Sequence, residues 1–404
     1  MNSKTTGFRL IWKKRIGRIQ SRNNIIAISD DLLLGTCGRR WNLEDSDDGV
    51  YRLDRQTGDV IWFTPTISDT NEIVLLGEFV WCPTDRGDIF VLNATSGEIA
   101  DVFRLDSAAI SKPLVWADER GWEAIAISAA GTIYRFTSGK RGVVILGSLN
   151  EPVRANLLDV GTSSKREFIV TTESGLVVRC VYNNDRLTHR VIGIVTYTGH
   201  PFSENGVGTE TVGSIHAAPN LDGNHLYVGF ARKTYYSEPP LICLDSVTGE
   251  TVWRALQLPQ GDCGNCRVTP IFNEHYLVAA FSYSNGIHIF DKANGKLLGA
   301  VRIGRTVWQQ WSAPVFYGKH HVILGRVDGT ISMVNMRELR VVASISFANR
   351  DSHLLKIEDS LPGEVDPLFP GARPRGICST PVVLNGIIYV GTTSSDLISV
   401  EVVV

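Results

Sequence analysis

Residues 49–62 read GVYRLDRQTGDVIW. Val50 to Leu53 alternate between the two faces of an extended chain, which predicts a strand packed between two sheets. Gly58 follows Thr57 at the point where a hairpin needs a residue with positive φ. Trp62 ends the second strand and is placed to wedge against a neighbouring sheet. The segment therefore predicts a β-hairpin that packs on both of its faces.

Seven further copies of this unit follow along the chain. They occupy residues 87–99, 131–146, 175–192, 240–253, 286–301, 329–345 and 396–404. Several neighbouring copies begin about 40 residues apart, which is the period of a four-stranded propeller blade. A proline introduces a second pair of strands upstream of many copies, as at Pro113, Pro270, Pro314 and Pro381.

These repeats predict an all-β fold, an eight-bladed β-propeller of four-stranded antiparallel blades. The last copy lacks an outer strand, and residues 7–16 supply an orphan one that closes the ring in the last blade. We expect a single domain over 1–404, with long loops at 196–216 and 348–378. The eight blades are expected at residues 25–64, 71–105, 112–149, 152–195, 213–258, 266–303, 311–347 and 376–404.

Composition and charge exclude several classes of protein. Hydrophobic residues make up 43% and charged residues 20% of the chain, which is a globular composition. A net charge of -2 does not predict nucleic-acid binding. No stretch has the roughly 20 apolar residues that cross a bilayer, and the N-terminus lacks a signal-peptide core. Seven scattered cysteines fit reduced thiols. We therefore expect a cytoplasmic protein with no membrane segment.

The pattern Leu-Asp-x-x-Thr-Gly-x-x-x-Trp at 53–62 and 244–253 resembles the repeat of pyrroloquinoline-quinone (PQQ) propellers. That superfamily includes quinone-dependent alcohol dehydrogenases and the propeller lipoprotein of the outer-membrane assembly machinery. The alternative WD-repeat propeller is disfavoured because the strands do not end in Trp-Asp.

This sequence departs from the dehydrogenases of that superfamily. It has no adjacent cysteine pair, and Cys263-Gly-Asn-Cys266 is followed by Arg267 instead of the histidine of a haem attachment site. No set of calcium-ligating Glu, Asn and Asp residues matches. The resemblance therefore implies a non-catalytic scaffold member without a cofactor; PQQ and calcium are what an enzyme of this class would need.

Function in a propeller is expected on loops, because the blades pack against each other. Six connections exceed a minimal turn, and all emerge on one face of the predicted ring, on blades five to eight and one. They span residues 37–48, 196–216, 232–239, 259–267, 303–311 and 348–378. Long loops in a compact domain are more often functional than accidental.

The candidate binding residues lie on this face and mix both charge signs with apolar side chains. That mixture favours a protein contact over a phosphate backbone. The residues are His200, Arg305, Trp308, Trp311, Arg350, His353, Leu354, Leu355, Glu358, Asp359, Phe369, Arg373 and Arg375. Trp308 and Trp311 have an equal alternative as plugs of a blade junction.

Neither a catalytic nor a metal site is predicted. No serine stands in a Gly-x-Ser-x-Gly motif. Cys263 and Cys266 have a metal-like spacing, but no second pair accompanies them, so we interpret them as thiols in a tight turn.

The leading hypothesis is a non-catalytic cytoplasmic scaffold or sensor subunit that binds a protein or peptide through its loop-bearing face. One alternative is a quinone- or metal-dependent oxidoreductase of the PQQ class. Another is a hydrolase or lyase with its site in the central funnel, among His200, His216, Arg305 and Arg375.

Overall fold

The structure is a computed structural model, and its fold class is the predicted eight-bladed β-propeller. It describes residues 7–19, 24–37, 46–118, 121–138, 143–162, 165–183, 185–199, 209–231, 239–255, 265–282, 286–303, 312–347 and 376–403. These residues form eight four-stranded sheets and one separate two-stranded hairpin. They form strands and turns only, and include no helix able to span a membrane.

The chain divides into two compact units. The first unit comprises Met1–Ile73, Ile271–Ile289 and Leu298–Val404, and the second comprises Val74–Pro270 and Phe290–Leu297. The expectation of a single domain stays a prediction.

The first unit holds blades eight, one and seven, and nearly all of blade six. Blade eight contains β1 (Gly7–Arg15), β32 (Val382–Leu384), β33 (Ile387–Gly391) and β34 (Asp396–Val403). Blade one contains β2 (Ile25–Ile28), β3 (Asp31–Thr36), β4 (Gly49–Asp54) and β5 (Val60–Pro65). Blade six contains β24 (Ile271–Phe272), β25 (Leu277–Ala280), β26 (Gly286–Phe290) and β27 (Leu297–Arg302). Blade seven contains β28 (Val315–Tyr317), β29 (His321–Gly325), β30 (Thr330–Asn335) and β31 (Arg340–Ser346).

The second unit holds blades two to five and the hairpin. Blade two contains β6 (Val74–Leu76), β7 (Phe79–Pro83), β8 (Asp88–Asn93) and β9 (Ile99–Arg104). Blade three contains β10 (Leu114–Asp118), β11 (Gly121–Ile127), β12 (Thr132–Thr137) and β13 (Val144–Ser148). Blade four contains β14 (Leu158–Asp159), β15 (Arg166–Thr171), β16 (Leu176–Asn183) and β17 (Arg186–Ile194). The hairpin contains β18 (Thr196–Gly199) and β19 (Thr209–Val212). Blade five contains β20 (Asn220–Asp222), β21 (His225–Gly229), β22 (Leu241–Asp245) and β23 (Thr251–Arg254).

Seven blades follow chain order, and blade eight has the order β1-β34-β33-β32. The N-terminal strand pairs antiparallel with β34, from Gly7 opposite Val403 to Arg15 opposite Asp396. Phe8 is buried in the core that blade eight shares with blade seven. The prediction that the N-terminal strand completes the last blade is confirmed.

Apolar side chains from facing sheets form the core of each unit. In the second unit, Trp81 of blade two is fully buried and meets Trp122 of blade three edge-on, with ring centroids 4.7 Å apart. Phe103 and Phe136 pack in the same cluster. Alternation along the strands thus buries both faces of a blade, as its sequence indicates.

The Asp-x-x-Thr-Gly motif builds the turn before the outer strand in blades one and five. In blade one, Asp54 Oδ1 accepts the backbone N–H groups of Gln56 and Thr57, each at 2.8 Å. The hydrogen bond from Thr57 is the main reason that the pKa of Asp54 lies below its usual value. Gly58 then adopts a φ of 71°, as predicted for a hairpin glycine.

Trp253 occupies in blade five the repeat position that Trp62 has in blade one, and it wedges against the next blade. Its Nε1 donates a hydrogen bond to the carbonyl oxygen of Lys292, 3.1 Å away in the next repeat turn. A Cβ atom at Gly295 in that turn would lie 2.4 Å from the Trp253 ring, so only glycine fits there. The tryptophan of one repeat therefore requires a glycine in the turn of the next repeat.

Candidate functional site

Each blade has two different ends. At the loop end, the second strand connects to the third and the outer strand connects to the next blade. At the turn end, short hairpins join the first strand to the second and the third to the fourth. All the long connections predicted to carry function belong to loop ends.

The predicted binding residues lie outside the described residues. This applies to His200, Arg305, Trp308, Trp311, Arg350, His353, Leu354, Leu355, Glu358, Asp359, Phe369, Arg373 and Arg375, and also to Cys263. Their roles therefore stay predictions. The structure does describe the residues that flank these segments at the ends of the blades, and we call these flanking residues the roots of the segments.

In the second unit, the roots of three long segments meet at the loop end of blade five. Ser214 and Ala231 exchange two backbone hydrogen bonds, of 2.8 and 2.6 Å. The N–H of Cys266 donates to the carbonyl oxygen of Phe230 at 3.0 Å, and the N–H of Phe230 donates to that of Pro240 at 3.0 Å. We call these five residues the blade-five root cluster. It joins the chain that flanks residues 200–208, 232–238 and 256–264.

The separate hairpin extends this cluster. Tyr197 of β18 is almost fully buried and stacks on Phe230, with ring centroids 6.0 Å apart. Arg254, at the end of blade five's outer strand, donates to the carbonyl oxygen of Thr196 and, at 3.2 Å, to its Oγ1. The base of the hairpin is therefore held by an aromatic stack and a charged donor. Neither residue was singled out from the sequence.

One hydroxyl–imidazole pair lies at these roots. Ser214 Oγ and His216 Nε2 are 3.0 Å apart, within the range of a nucleophile–base hydrogen bond. Of the four residues on which the hydrolase alternative depends, the structure describes only His216. The pair alone assigns no reaction, and that alternative stays a prediction.

The described cysteines lie in the packed interior. Cys266 is fully buried, and its Sγ lies 3.4 Å from the carbonyl oxygen of Val268. Burial raises the pKa of the Cys180 and Cys243 thiols to about 12, which keeps both protonated at neutral pH. These two thiols are therefore structural. Among the described residues, no group of three or more His, Cys, Asp or Glu side chains is placed to hold a metal ion.

In the first unit, two long segments are rooted at blade seven. The N–H of Phe347, which precedes residues 348–375, donates to the carbonyl oxygen of Gly329 at 2.9 Å. The N–H of Ile377, which follows them, donates to that of Arg326 at 2.8 Å. Ala313, just after residues 304–311, donates its N–H to Thr380 Oγ1 at 3.2 Å. The turn at 326–329 is thus the anchor of the longest segment.

This turn contains a buried ion pair. Arg326 Nε lies 3.5 Å from Asp328 Oδ2, and the two residues are 4% and 3% exposed. The equivalent first turn position carries a hydroxyl in four other blades: Thr84, Ser128, Thr172 and Thr392. A buried charge pair costs more desolvation than a hydroxyl. Blade seven therefore departs from the repeat at the root of residues 348–375. This departure is visible in the sequence, since residues 326–329 read Arg-Val-Asp-Gly where the four other blades begin the turn with Thr or Ser.

Blade one has a third set of roots in the first unit. The N–H of Cys37 donates to the carbonyl oxygen of Arg18 at 2.7 Å, which joins the chain before residues 20–23 to the chain before 38–45. Thr36 Oγ1 donates to the carbonyl oxygen of Asp47 at 2.6 Å, across the base of the second segment.

The loop-end connections that join blade two to blade three and blade three to blade four are short, and the first of them is closed by hydroxyl groups. Thr132 Oγ1 donates to Asp106 Oδ2 at 2.6 Å, and Ser107 Oγ donates to Oδ1 at 3.2 Å. Partial burial acts to raise the pKa of Asp106, but hydrogen bonds from hydroxyl groups outweigh it and hold the pKa below its usual value. The Asp106 carboxylate therefore has a structural role, because its hydrogen bonds close the turn.

Comparison with known proteins supports the fold. No protein-family profile and no curated protein matches the sequence. The computationally designed Ika8 protein is similar, with a TM-score of 0.62 and 13% identity over 96% of this chain and 98% of its own. BamB from Moraxella catarrhalis is similar too, with a TM-score of 0.63 and 13% identity over 98% of this chain and 99% of its own. At that identity the likeness shows the fold, a β-propeller, and no activity.

Proposed function

We propose that the chain is a non-catalytic interaction scaffold that binds a protein or peptide through the loop ends of its blades. The observation that carries this proposal is the blade-five root cluster. It ties the bases of three long segments into one hydrogen-bonded group, around Phe230 and Ala231. A scaffold that positions several loops at one place is what a protein-binding surface needs.

The sequences of these three segments support the same conclusion. They read HPFSENGVG at 200–208, RKTYYSE at 232–238 and LQLPQGDCG at 256–264. Tyrosine supplies contact area at low entropic cost, and Ser, Gly and Asn supply adaptable hydrogen bonds. Because a propeller fold hosts many functions, the loops and not the blades carry the proposal.

We place the scaffold in the cytoplasm, which fractionation of cells that produce the tagged protein tests directly.

Site-specific photocrosslinking tests the proposal. A photoreactive residue replaces Val212, which is 38% exposed on β19 at the loop end, or Ile99, which is 51% exposed at the turn end of blade two. Both sites lie on strands of the second unit, so they form a matched pair. We expect a discrete crosslinked protein from Val212 in cells and none from Ile99. Equal crosslinking at both sites would contradict the proposal.

A deletion of residues 352–372 tests the longest segment separately. If this segment contacts the partner, the deletion variant folds but recovers less of the protein that the Val212 crosslink identifies. Full recovery by a folded variant would remove residues 352–372 from the binding surface and leave the blade-five segments as the contact.

A further inference from the structure

The outer strand of blade four differs from the other outer strands of the second unit. β17 (Arg186–Ile194) has 9 residues, against 6 in β9, 5 in β13 and 4 in β23. One of its edges pairs with β16. Among the described residues, no strand pairs with the other edge. Such an edge offers backbone donors and acceptors to an added strand.

The side chains of this strand are exposed and basic. Arg186, Thr188, His189, Arg190 and Val191 are all exposed, and β17 contains no carboxylate. Among the residues that the structure describes, neither Arg186 nor Arg190 forms an ion pair. Arg190 donates instead to the carbonyl oxygen of Val247, at 3.0 Å.

The nearby acidic residues already have partners. Asp185 pairs with Arg135 and accepts a hydrogen bond from Tyr182 Oη at 2.9 Å. In the same blade, the buried carboxylate of Glu167 pairs with Arg179 and with Lys165. The positive charge on β17 is therefore not compensated by its own blade.

Exposed apolar side chains accompany this charge. Val191 and Ile194 are 48% and 52% exposed. Leu187 of β17 lies close to β13, since its Cδ2 is 3.8 Å from the position of a Cβ at Gly147. On β13, Ile145 is 65% exposed. A segment lying along β17 would therefore meet apolar as well as basic side chains.

The next blade limits the accessible length of the edge. The turn of blade five approaches the C-terminal part of β17 so closely that a Cβ at Gly249 would lie 1.3 Å from the Ile192 carbonyl oxygen. This leaves the stretch from Arg186 to Val191, which is long enough for a short strand.

A second copy of this chain is a poor occupant. Antiparallel pairing of two β17 strands about Thr188 would set Arg186 opposite Arg190, twice over. Like charges directly opposite each other destabilise a ladder. The charge pattern therefore favours a different, acidic strand over self-association.

We propose that β17 is a second docking site, which adds an extended protein segment of alternating acidic and apolar residues as an extra strand. Main-chain hydrogen bonds would give affinity, and the exposed arginines would give preference for carboxylates. This site lies on an outer strand and is independent of the loop-end scaffold proposed above.

A synthetic peptide tests the site. A fluorescein-labelled nine-residue peptide of alternating glutamate and valine is titrated with the full chain at low salt, and fluorescence anisotropy is read. We expect saturable binding that weakens with added salt, and slower hydrogen exchange of the amides at 186–191. The double variant Arg186→Glu/Arg190→Glu should weaken binding at least about tenfold.

Two controls separate this site from general charge attraction. The double variant Lys296→Glu/Arg337→Glu carries the same change in net charge on exposed turns and should bind the peptide normally. A lysine–valine peptide should not bind the unaltered chain. The Val212 crosslink should be the same in the variant with Arg186 and Arg190 replaced. Failure of the β17 proposal would therefore leave the loop-end proposal unaffected, and the reverse also holds.

Three results would overturn the inference. They are no binding of the glutamate–valine peptide, equal binding by the β17 variant, or protection of amides elsewhere without protection at 186–191. Self-association of the chain that the Arg186 and Arg190 substitutions abolish would show a second copy as the occupant instead.

Discussion

At the scale of single residues, glycine in the hairpin turns of the blades has two separable roles. Gly295 has a φ of 71°, and its missing side chain makes room for Trp253. Gly223 has a similar positive φ, of 58°, but no atom lies within 4 Å of a Cβ placed there. The two positions therefore distinguish backbone strain from steric exclusion.

Replacing Gly295 with alanine should cost about 2–5 kcal/mol of folding free energy, because strain and overpacking against the tryptophan add. Gly223→Ala should cost only the strain, about 1–2 kcal/mol. Urea denaturation of both variants measures the difference. Equal costs would show that the close approach to Trp253 contributes nothing.

A buried histidine makes stability depend on pH. His288 on β26 is 2% exposed and packs against Phe281, with ring centroids 4.9 Å apart. Burial lowers the pKa of His288 to about 4. In the unfolded chain a histidine titrates near 6.5. Between these values the unfolded chain binds a proton that the folded chain does not.

The free energy of unfolding should therefore fall as the pH drops from about 6.5 towards 4, by about 3 kcal/mol in total from this residue. His288→Leu should flatten that part of the profile, measured by urea unfolding at several pH values. His189→Gln, at an exposed position, is the control and should keep the slope. A slope unchanged by His288→Leu would assign the pH dependence to other groups.

The residues of the fold were more predictable than those of the site. Trp253 and the turn glycines recur with the repeat, so their roles followed from the sequence pattern. Arg254 and Tyr197 act through partners that are distant in sequence, at Thr196 and Phe230. No repeat encodes such pairings. The predicted contact residues themselves lie outside the described part of the chain, and their roles remain open to the crosslinking experiment.

At the scale of secondary-structure elements, the additional hairpin is the clearest departure from the repeat. Residues 196–216 are expected as a loop, and the structure places the strands β18 and β19 within them. The β-branched residues of TYTG and TETV suit an extended pair. The repeat accounts only for the four strands of each blade, so it did not predict the two additional strands of this hairpin.

Removing the anchor of this hairpin should loosen it without unfolding its blade. Hydrogen bonds to a charged group contribute about 1.5–3 kcal/mol, so Arg254→Ala should raise amide exchange at 196–199 and 209–212 by about tenfold or more. Hydrogen–deuterium exchange with mass spectrometry measures this. The control is Arg104→Ala, which removes an arginine that pairs with Asp88 on blade two. If exchange at the hairpin is unchanged, Arg254 does not hold it.

At the scale of the whole molecule, the completion of blade eight joins the two ends of the described chain. Deleting residues 1–16 removes β1, its buried Phe8 and the partner of β34. The loss of a buried Phe alone costs about 3–5 kcal/mol, and an open strand edge promotes association. We expect a lower midpoint of thermal unfolding and concentration-dependent oligomers in light scattering.

Arg9→Ala is the matched substitution on the same strand. Arg9 is 70% exposed in its ion pair with Glu401, so its loss should cost less than about 1 kcal/mol. A truncated chain that stays monomeric with unchanged thermal stability would show that β1 is dispensable.

The pairing of β1 with β34 also imposes an order on biosynthesis. Arg9 and Glu401 are 392 positions apart, so a ribosome working at about 5–20 residues per second makes β1 roughly 20–80 s before its partner strand. Throughout that interval, an amphipathic strand waits outside the ribosome without its native neighbour. The yield of this protein in a cell should therefore depend on how well chaperones shield β1 during that interval, and stabilising mutations in the other blades would not shorten it.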